Sequence, residues 1–235
     1  MAGRRIVDAT ASIADLKGRV ASWVGEALEA SAELGFLGSM PVSDQIDHAL
    51  GFVASVESVT ERPPRSVLDL GSGGGVPGLV LCSCWPETRV VLLDSNERRT
   101  EFLAGELSRR QVDPTEGGRV VQDVVVRGRA EESARMEDLR QTFEVVTARS
   151  FGAPAVTAEC GAPLLAVGGL LVVSEPPDAP GADRWPAAAL EQLGLETLKA
   201  VRVDDRFGYQ ILIKAGPTPD RFPRRVGIPT KRPLF

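Results

Sequence analysis

The chain has 235 residues, 43% of them hydrophobic and 25% charged, with a mean hydropathy of -0.02. These values exclude a small disulfide-stapled scaffold, a fibrous sequence and a disordered one, and they predict one sizeable core with appendages. The formal charge of -5 excludes a uniformly basic nucleic-acid binder, yet it hides a gradient: residues 1–62 net -4, the middle nets -6 and residues 202–235 net +5. Cys82, Cys84 and Cys160 are too few for an oxidising compartment and lack the spacing of a zinc site or redox dithiol, which predicts a reducing cytoplasm and no metal. No apolar run approaches the roughly 20 residues needed to span a bilayer, and Met1 to Arg5 lead into no signal-peptide core, so no membrane partner is expected.

In chain order, residues 12–34 space Ile13, Leu16, Val20, Trp23 and Ala27 three or four apart, the pattern of one amphipathic helix ending near Gly35. A second helix is predicted from Ser43, as its N-cap, through Ile46, Leu50 and Val53. Arg62-Pro63-Pro64 then stops any helix and marks a boundary. The period changes there. Short apolar runs at Ser66–Leu70, Arg89–Leu93, Val124–Val126, Phe143–Thr147 and Gly169–Val173 read as buried parallel strands. Helices are predicted between them at Leu79–Cys84, Asn96–Arg110, Ala130–Leu139 and Ala153–Ala166. Two further strands, Glu196–Val203 and Tyr209–Lys214, are close enough to form a hairpin. The expected fold is therefore α/β, a seven-stranded sheet covered on both faces, with residues 1–62 as a helical extension, 63–216 as the core and 217–235 as a basic, proline-rich end.

The strongest local signal is Asp69-Leu70-Gly71-Ser72-Gly73-Gly74-Gly75-Val76-Pro77-Gly78, between the first core strand and its helix. Glycines there permit a sharp turn and a close ligand approach. Gly73-x-Gly75-x-x-Gly78 formally fits a dinucleotide fingerprint, but a carboxylate, Asp69, closes the strand just before the loop and would repel a pyrophosphate. A ligand with a cationic end, such as S-adenosylmethionine, fits better. Asp94 sits at the tip of the next strand, where a carboxylate accepts hydrogen bonds from ribose hydroxyls; its alternative role is to cap the helix that begins at Asn96-Glu97.

Val67 to Gly78, Leu93-Asp94-Ser95-Asn96-Glu97-Arg98-Arg99, Arg129-Ala130-Glu131, Thr147-Ala148-Arg149-Ser150-Phe151 and Pro223 to Lys231 together resemble, in that order, the RsmG family, also called GidB. The resemblance covers roughly residues 65–235. It implies a class I S-adenosylmethionine-dependent methyltransferase that modifies N7 of a guanine in 16S ribosomal RNA, working as a monomer on that RNA or on the small ribosomal subunit. Carried over by position, Gly71 and Val76 would line the methionine and ribose side of the cofactor, with Asp69, Gly73, Gly75, Asp94 and Ser95 around them. Ala130 and Glu131 would flank the adenine, and Arg149 would be the cofactor-site arginine, its alternative being an ion pair with Glu131 or Asp94. The basic end would pack back along the sheet and offer Arg224, Arg225, Lys231 and Arg232 to phosphates.

Two segments depart from the family. Ser174-Glu175-Pro176-Pro177 replaces a Lys-Gly pair after the fifth core strand, and Ser43-Asp44 stand where Arg-His is usual ahead of Asp47-His48. Both remove cation from surfaces that would face RNA, which leaves open a diverged paralogue acting on another RNA or a small molecule, or a non-catalytic module that binds the cofactor. No general base is needed for the expected chemistry, because guanine N7 carries a lone pair and no proton. His48, the one histidine, reads as a packing residue, and Cys160 as core rather than a nucleophile.

Overall fold

A computed structural model describes residues 7–8, 11–112, 123–176 and 184–235. Met1 to Arg5 and Pro177 lie outside these residues. The strands are β1 (Val7–Asp8), β2 (Ser66–Leu70), β3 (Arg89–Asp94), β4 (Val124–Arg127), β5 (Phe143–Ala148), β6 (Leu165–Glu175), β7 (Leu195–Val203) and β8 (Phe207–Lys214), in the sheet order β1-β7-β8-β6-β5-β2-β3-β4. β8 runs antiparallel between β6 and β7, and the other pairings are parallel. β2 to β8 are the seven predicted strands. β1 adds a two-residue edge, pairing Val7 with Val201 and Asp8 with Arg202, too short to leave a sequence pattern.

From β2 the chain winds outward through β3 and β4, then crosses back to β5 and β6 on the other side. That reversal opens a crevice beyond the carboxyl ends of β2 and β5, the place where open α/β sheets bind ligands. Alternation along each strand supplies both faces of the sheet: Val90 and Leu92 join one apolar cluster, Val91 and Leu93 the other.

The helices are α1 (Ile13–Leu16), α2 (Ser22–Glu33), α3 (Val42–Glu57), α4 (Gly78–Cys84), α5 (Glu97–Val112), α6 (Ala130–Ser133), α7 (Pro154–Gly161), α8 (Ala187–Glu191) and α9 (Ile228–Lys231). The single helix predicted over residues 12–34 is broken, because a 3-10 turn at Lys17–Arg19 and an extended Ala21 separate α1 from α2. Tertiary bonds outcompete helical ones at the break: Ala21 N donates to Ser83 Oγ, and Ser83 Oγ donates to Arg19 O. α3 starts one residue before Ser43, with Pro41 in the N-cap position, so Ser43 lies inside the first turn and caps nothing. The helix expected over Ala130–Leu139 ends at Ser133. The one expected over Ala153–Ala166 gives way after Gly161 to a 3-10 turn containing Pro163, which has no N–H to continue an α-helix, and β6 begins at Leu165 rather than Gly169.

α1, α2 and α3 share one apolar layer with α4 and the sheet, through Ile13, Leu28, Phe52, Leu79, Val172 and Ile211. Residues 217–235 dock on the opposite face, where Phe222 joins Phe143, Leu171 and Leu190. Arg140 fixes this end by donating to the carbonyls of Thr218 and Phe222. Among the described residues no helix is long and apolar enough to cross a membrane.

One polar node joins the N-terminal helices to the core. Glu57 accepts two hydrogen bonds from Arg19, at 3.0 and 2.9 Å, and one from Trp85 Nε1 at 3.0 Å. Glu57→Ala leaves the buried Trp85 indole N–H without an acceptor and the Arg19 guanidinium with only the Cys84 carbonyl in place of its carboxylate. It should lower unfolding free energy by about 2–4 kcal/mol in a denaturant titration followed by tryptophan fluorescence. A change under about 0.5 kcal/mol, the range of ordinary surface substitutions, would show that these helices unfold apart from the core.

Candidate functional site

The loop between β2 and α4 turns most of its backbone donors inward. Gly71 N and Ser72 N donate to Leu93 O at 2.8 and 2.9 Å, and Gly75 N donates to Ser72 O. Gly73 N donates to Asp94 Oδ2 at 2.9 Å, and Gly78 N to Asp69 Oδ2 at 3.0 Å. In the first turn of α4, Leu79 N donates to Gly75 O, and Val80 N and Leu81 N to Pro77 O. Neither the loop nor the helix start therefore offers these amides to a phosphate, which is what a dinucleotide site requires of them.

Asp69 takes part in this arrangement from inside the protein. Its carboxylate is wholly buried, accepts from Gly78 N and from the Thr147 hydroxyl at 3.0 Å, and has its pKa pushed up to about 6 by burial. It does not stand on the wall of the ligand cavity, so the repulsion of a pyrophosphate expected from the sequence does not act across that space. It disfavours phosphate by occupying a helix N–H instead. Gly78 is required at that point, because a Cβ there would lie 2.8 Å from the Asp69 carboxylate and 2.3 Å from Leu92.

Beyond the strand tips lies a cavity of about 380 Å³. Of the residues singled out in the sequence, Gly71, Asp94, Ser95, Ala130 and Glu131 line it. Gly73, Gly75 and Val76 do not: the two glycines shape the turn, and Val76 is buried in the apolar layer beside Leu79. Gly71 is held at φ +76°, and a Cβ on it would strike the Phe151 ring at 2.7 Å. Phe151 and Ser150 also line the cavity, as do Arg99, Arg129 and Thr230. Ser150 and Phe151 were within reach of sequence reasoning, since they follow a strand tip. Thr230 lies far from the other lining residues in the chain, and the motif Pro223 to Lys231 that contains it pointed to phosphates rather than to this cavity.

Asp94 is the best-placed polar group. Only 9% exposed, it uses Oδ2 for Gly73 N and Oδ1 for Asn96 N at 2.7 Å. Each oxygen keeps a lone pair for a further donor. The capping alternative is thus partly realised through Asn96 without excluding a ligand. Asn96 Oδ1 itself accepts from Arg99 N in the first turn of α5. Glu131 accepts from Gly227 N at 2.9 Å and lies 3.8 Å from Arg129 Nε.

Arg149, just past the tip of β5, is half-buried and stands outside this cavity wall, with Met40 Sδ 3.9 Å from its guanidinium. Neither Glu131 nor Asp94 pairs with it among the described residues. His48 packs against Phe52, Phe207 and Tyr209, and burial, aided by the charge of Arg149, holds its pKa down at about 3, so it is neutral at physiological pH. Burial likewise raises the thiol pKa of Cys160 far above its ordinary value, which makes it inert although it borders the cavity.

Of the four basic-end cations, Arg224 is committed inside the protein. It grips Glu159 with Nε at 2.9 Å and Nη2 at 2.6 Å, and Glu159 has no solvent exposure. Arg225, Lys231 and Arg232 are exposed. The acidic departures are also paired. Arg206 bridges Asp44 at 3.0 Å and Asp47 at 3.1 Å, Lys17 meets Asp47 at 2.9 Å, and Glu175 accepts from Trp185 Nε1 at 2.9 Å with Arg184 at 2.7 Å.

A family model described as GidB, rRNA small subunit methyltransferase G, matches residues 41–175. A ribosomal RNA small subunit methyltransferase G from Symbiobacterium thermophilum is 35% identical over 194 residues, covering 80% of this chain and 78% of its own. The protein of the same name from Thermotoga maritima is 34% identical over 179 residues, covering 74% and 71%. Among solved structures, an O-methyltransferase from Bacillus cereus in complex with SAH superposes with a TM-score of 0.58 at 14% identity, covering 86% of this chain and 94% of that one. An SAH-bound methyltransferase from Podospora anserina gives 0.54 at 16% identity, covering 83% and 88%. At such identities the likeness shows the fold, the α/β architecture of class I methyltransferases. The family model and the relatives go further: the chain belongs to the GidB family of rRNA small subunit methyltransferase G.

Proposed function

We propose that the chain is an S-adenosylmethionine-dependent methyltransferase acting on N7 of a guanine in 16S ribosomal RNA, presented by the small subunit in the cytoplasm. The observation that carries the cofactor half is the pairing of a loop whose amides are occupied with a cavity bordered by two carboxylates, Asp94 and Glu131. Those two acceptors suit a ligand with hydroxyls and a positive end, and the occupied loop amides offer no cradle to a phosphate.

Bound there, the cofactor supplies an electrophilic methyl group on a sulfonium. Asp94 accepts from the ribose hydroxyls with the lone pairs the backbone leaves free. Gly71 and Phe151 would hold the ribose and methionine side of the cofactor, and Ala130 and Glu131 its adenine. Arg149 feels the charge of the buried Asp69 but makes no direct ion pair among the described residues, and so is available to an anionic group of the cofactor or of the RNA. Guanine N7 needs no proton removed before it attacks, so the enzyme's contribution is alignment, worth on the order of 7–11 kcal/mol when two reactants are held in line. A neutral His48 enclosed by aromatic rings is consistent with that requirement.

The pairing of Asp44, Asp47 and Glu175 with Arg206, Lys17 and Arg184 favours RNA over a neutral small molecule, because the acidic departures do not stand as free charges against a phosphate backbone. Arg225, Lys231 and Arg232 serve as phosphate contacts, and Arg224 anchors the segment that carries them.

Labelled methyl transfer to small subunits from a strain lacking the modification should place the label on a single guanine N7. Replacing Arg225 and Lys231 by Ala should each reduce the log–log salt slope of RNA affinity by about 0.7–0.9. Transfer to neither subunits nor their RNA would overturn the reading. Asp94→Ala should weaken cofactor binding by about 1.5–3 kcal/mol in isothermal titration, the loss expected for hydrogen bonds to a charged acceptor. An unchanged affinity would remove the cofactor from this cavity.

A further inference from the structure

The basic end of the chain has a second position besides its exposed cations. Thr230, in α9, borders the same cavity as Asp94, Ala130 and Glu131. The chain turns into α9 at Gly227, whose φ of +76° suits glycine, and the N–H of that glycine goes to Glu131 Oε1 at 2.9 Å. Glu131 is only 5% exposed, so one buried carboxylate both faces the cavity and holds the end of the chain. α7 repeats this double contact. Its Val156 and Cys160 border the cavity, while its Glu159 is gripped by Arg224 through Nε, Nη2 and the backbone N at 2.8 Å. Beyond α9, Leu234 and Phe235 are half-buried against the apolar layer that holds Phe222.

We propose that residues 226–235 form a wall of the cofactor cavity, and that Glu131 ties their docking to cofactor binding so that each stabilises the other. The proposal rests on the cofactor placement given above. Its physical basis is linkage: a ligand that meets Thr230 and Glu131 only while the segment is docked must favour the docked state, and docking must raise ligand affinity by the same factor. The segment that presents Lys231 and Arg232 to RNA is then also the one that completes the cofactor site.

Two variants of the full chain separate this coupling from a general loss of fold. A chain ending at Arg225 keeps Phe222 and the Arg224–Glu159 pair while losing the proposed wall. Gly227→Pro keeps the rest of the segment covalently present, but it removes the N–H that Glu131 accepts and forbids the φ of +76°, so the turn into α9 is lost. S-adenosylhomocysteine affinity is read by calorimetry, and trypsin cleavage after Arg225 and Lys231 of the unaltered chain is followed with and without that ligand. Both variants should bind S-adenosylhomocysteine about 5- to 100-fold more weakly, the usual range for coupled sites. In the unaltered chain the ligand should slow both cleavages several-fold. Equal affinity in the variants, or cleavage indifferent to the ligand, overturns the coupling. An unaltered chain that does not bind S-adenosylhomocysteine overturns the cofactor placement itself, and the coupling with it. If the shortened chain fails to fold, the affinity of Gly227→Pro decides between coupling and none.

Discussion

The inward turn of the glycine-loop amides is the constraint on which the site depends. Two carboxylates at neighbouring strand tips enforce it from opposite sides, Asp94 by taking Gly73 N and Asp69 by taking Gly78 N. Once those donors are occupied, the loop cannot cradle a phosphate, and the acceptors Asp94 and Glu131 share the cavity wall with the guanidinium groups of Arg99 and Arg129. Asp69 does this at a cost. Burial disfavours its charged form, and the Thr147 and Ser72 hydroxyls, the Gly78 amide and the charge of Arg149 offset that desolvation only in part. A carboxylate kept in so unfavourable a place is the structural counterpart of a loop whose shape tolerates no alternative.

The same logic of internal pairing runs through the charges that first look out of place. Asp44 and Asp47 on α3 would repel RNA if they were free, but Arg206 from the β7–β8 hairpin lies between them and joins α3 to the sheet. Glu175, at the end of β6, holds Arg184 and Trp185 rather than projecting a negative charge. The Asp44 pair is exposed and contributes little stability, whereas the side chains of Asp47 and Glu175 are buried beneath their cations; together the pairs change which charges a polyanion meets. At the other end of the chain Arg224 is withdrawn into Glu159, while its neighbour Arg225 remains outside.

Much of this was legible in the residues. Seven strands with their alternating helices follow from apolar runs and glycine or proline punctuation, and the glycine loop and Asp94 mark the crevice without any coordinates. What stayed hidden is long-range. The break between α1 and α2 depends on Ser83, more than 60 residues away, and nothing in the periodicity of residues 12–34 announces it. The direction of the Asp69 side chain could not be read from its place at a strand end, because strand alternation gives the face and not the partner, which turned out to be the start of α4. Thr230 enters the cavity only because Arg224, Gly227 and Phe222 bring the end of the chain back across α7. Sequence also identified Arg224 as a cation without revealing Glu159 as the buried group that claims it.

The central claim, that this corner accepts a sulfonium nucleoside and refuses a dinucleotide, is tested most directly by titrating the purified chain with S-adenosylmethionine and, separately, with NAD in the same buffer. The account predicts saturable heat with S-adenosylmethionine, unaffected by added NAD. Binding of NAD, with no response to S-adenosylmethionine, would contradict it.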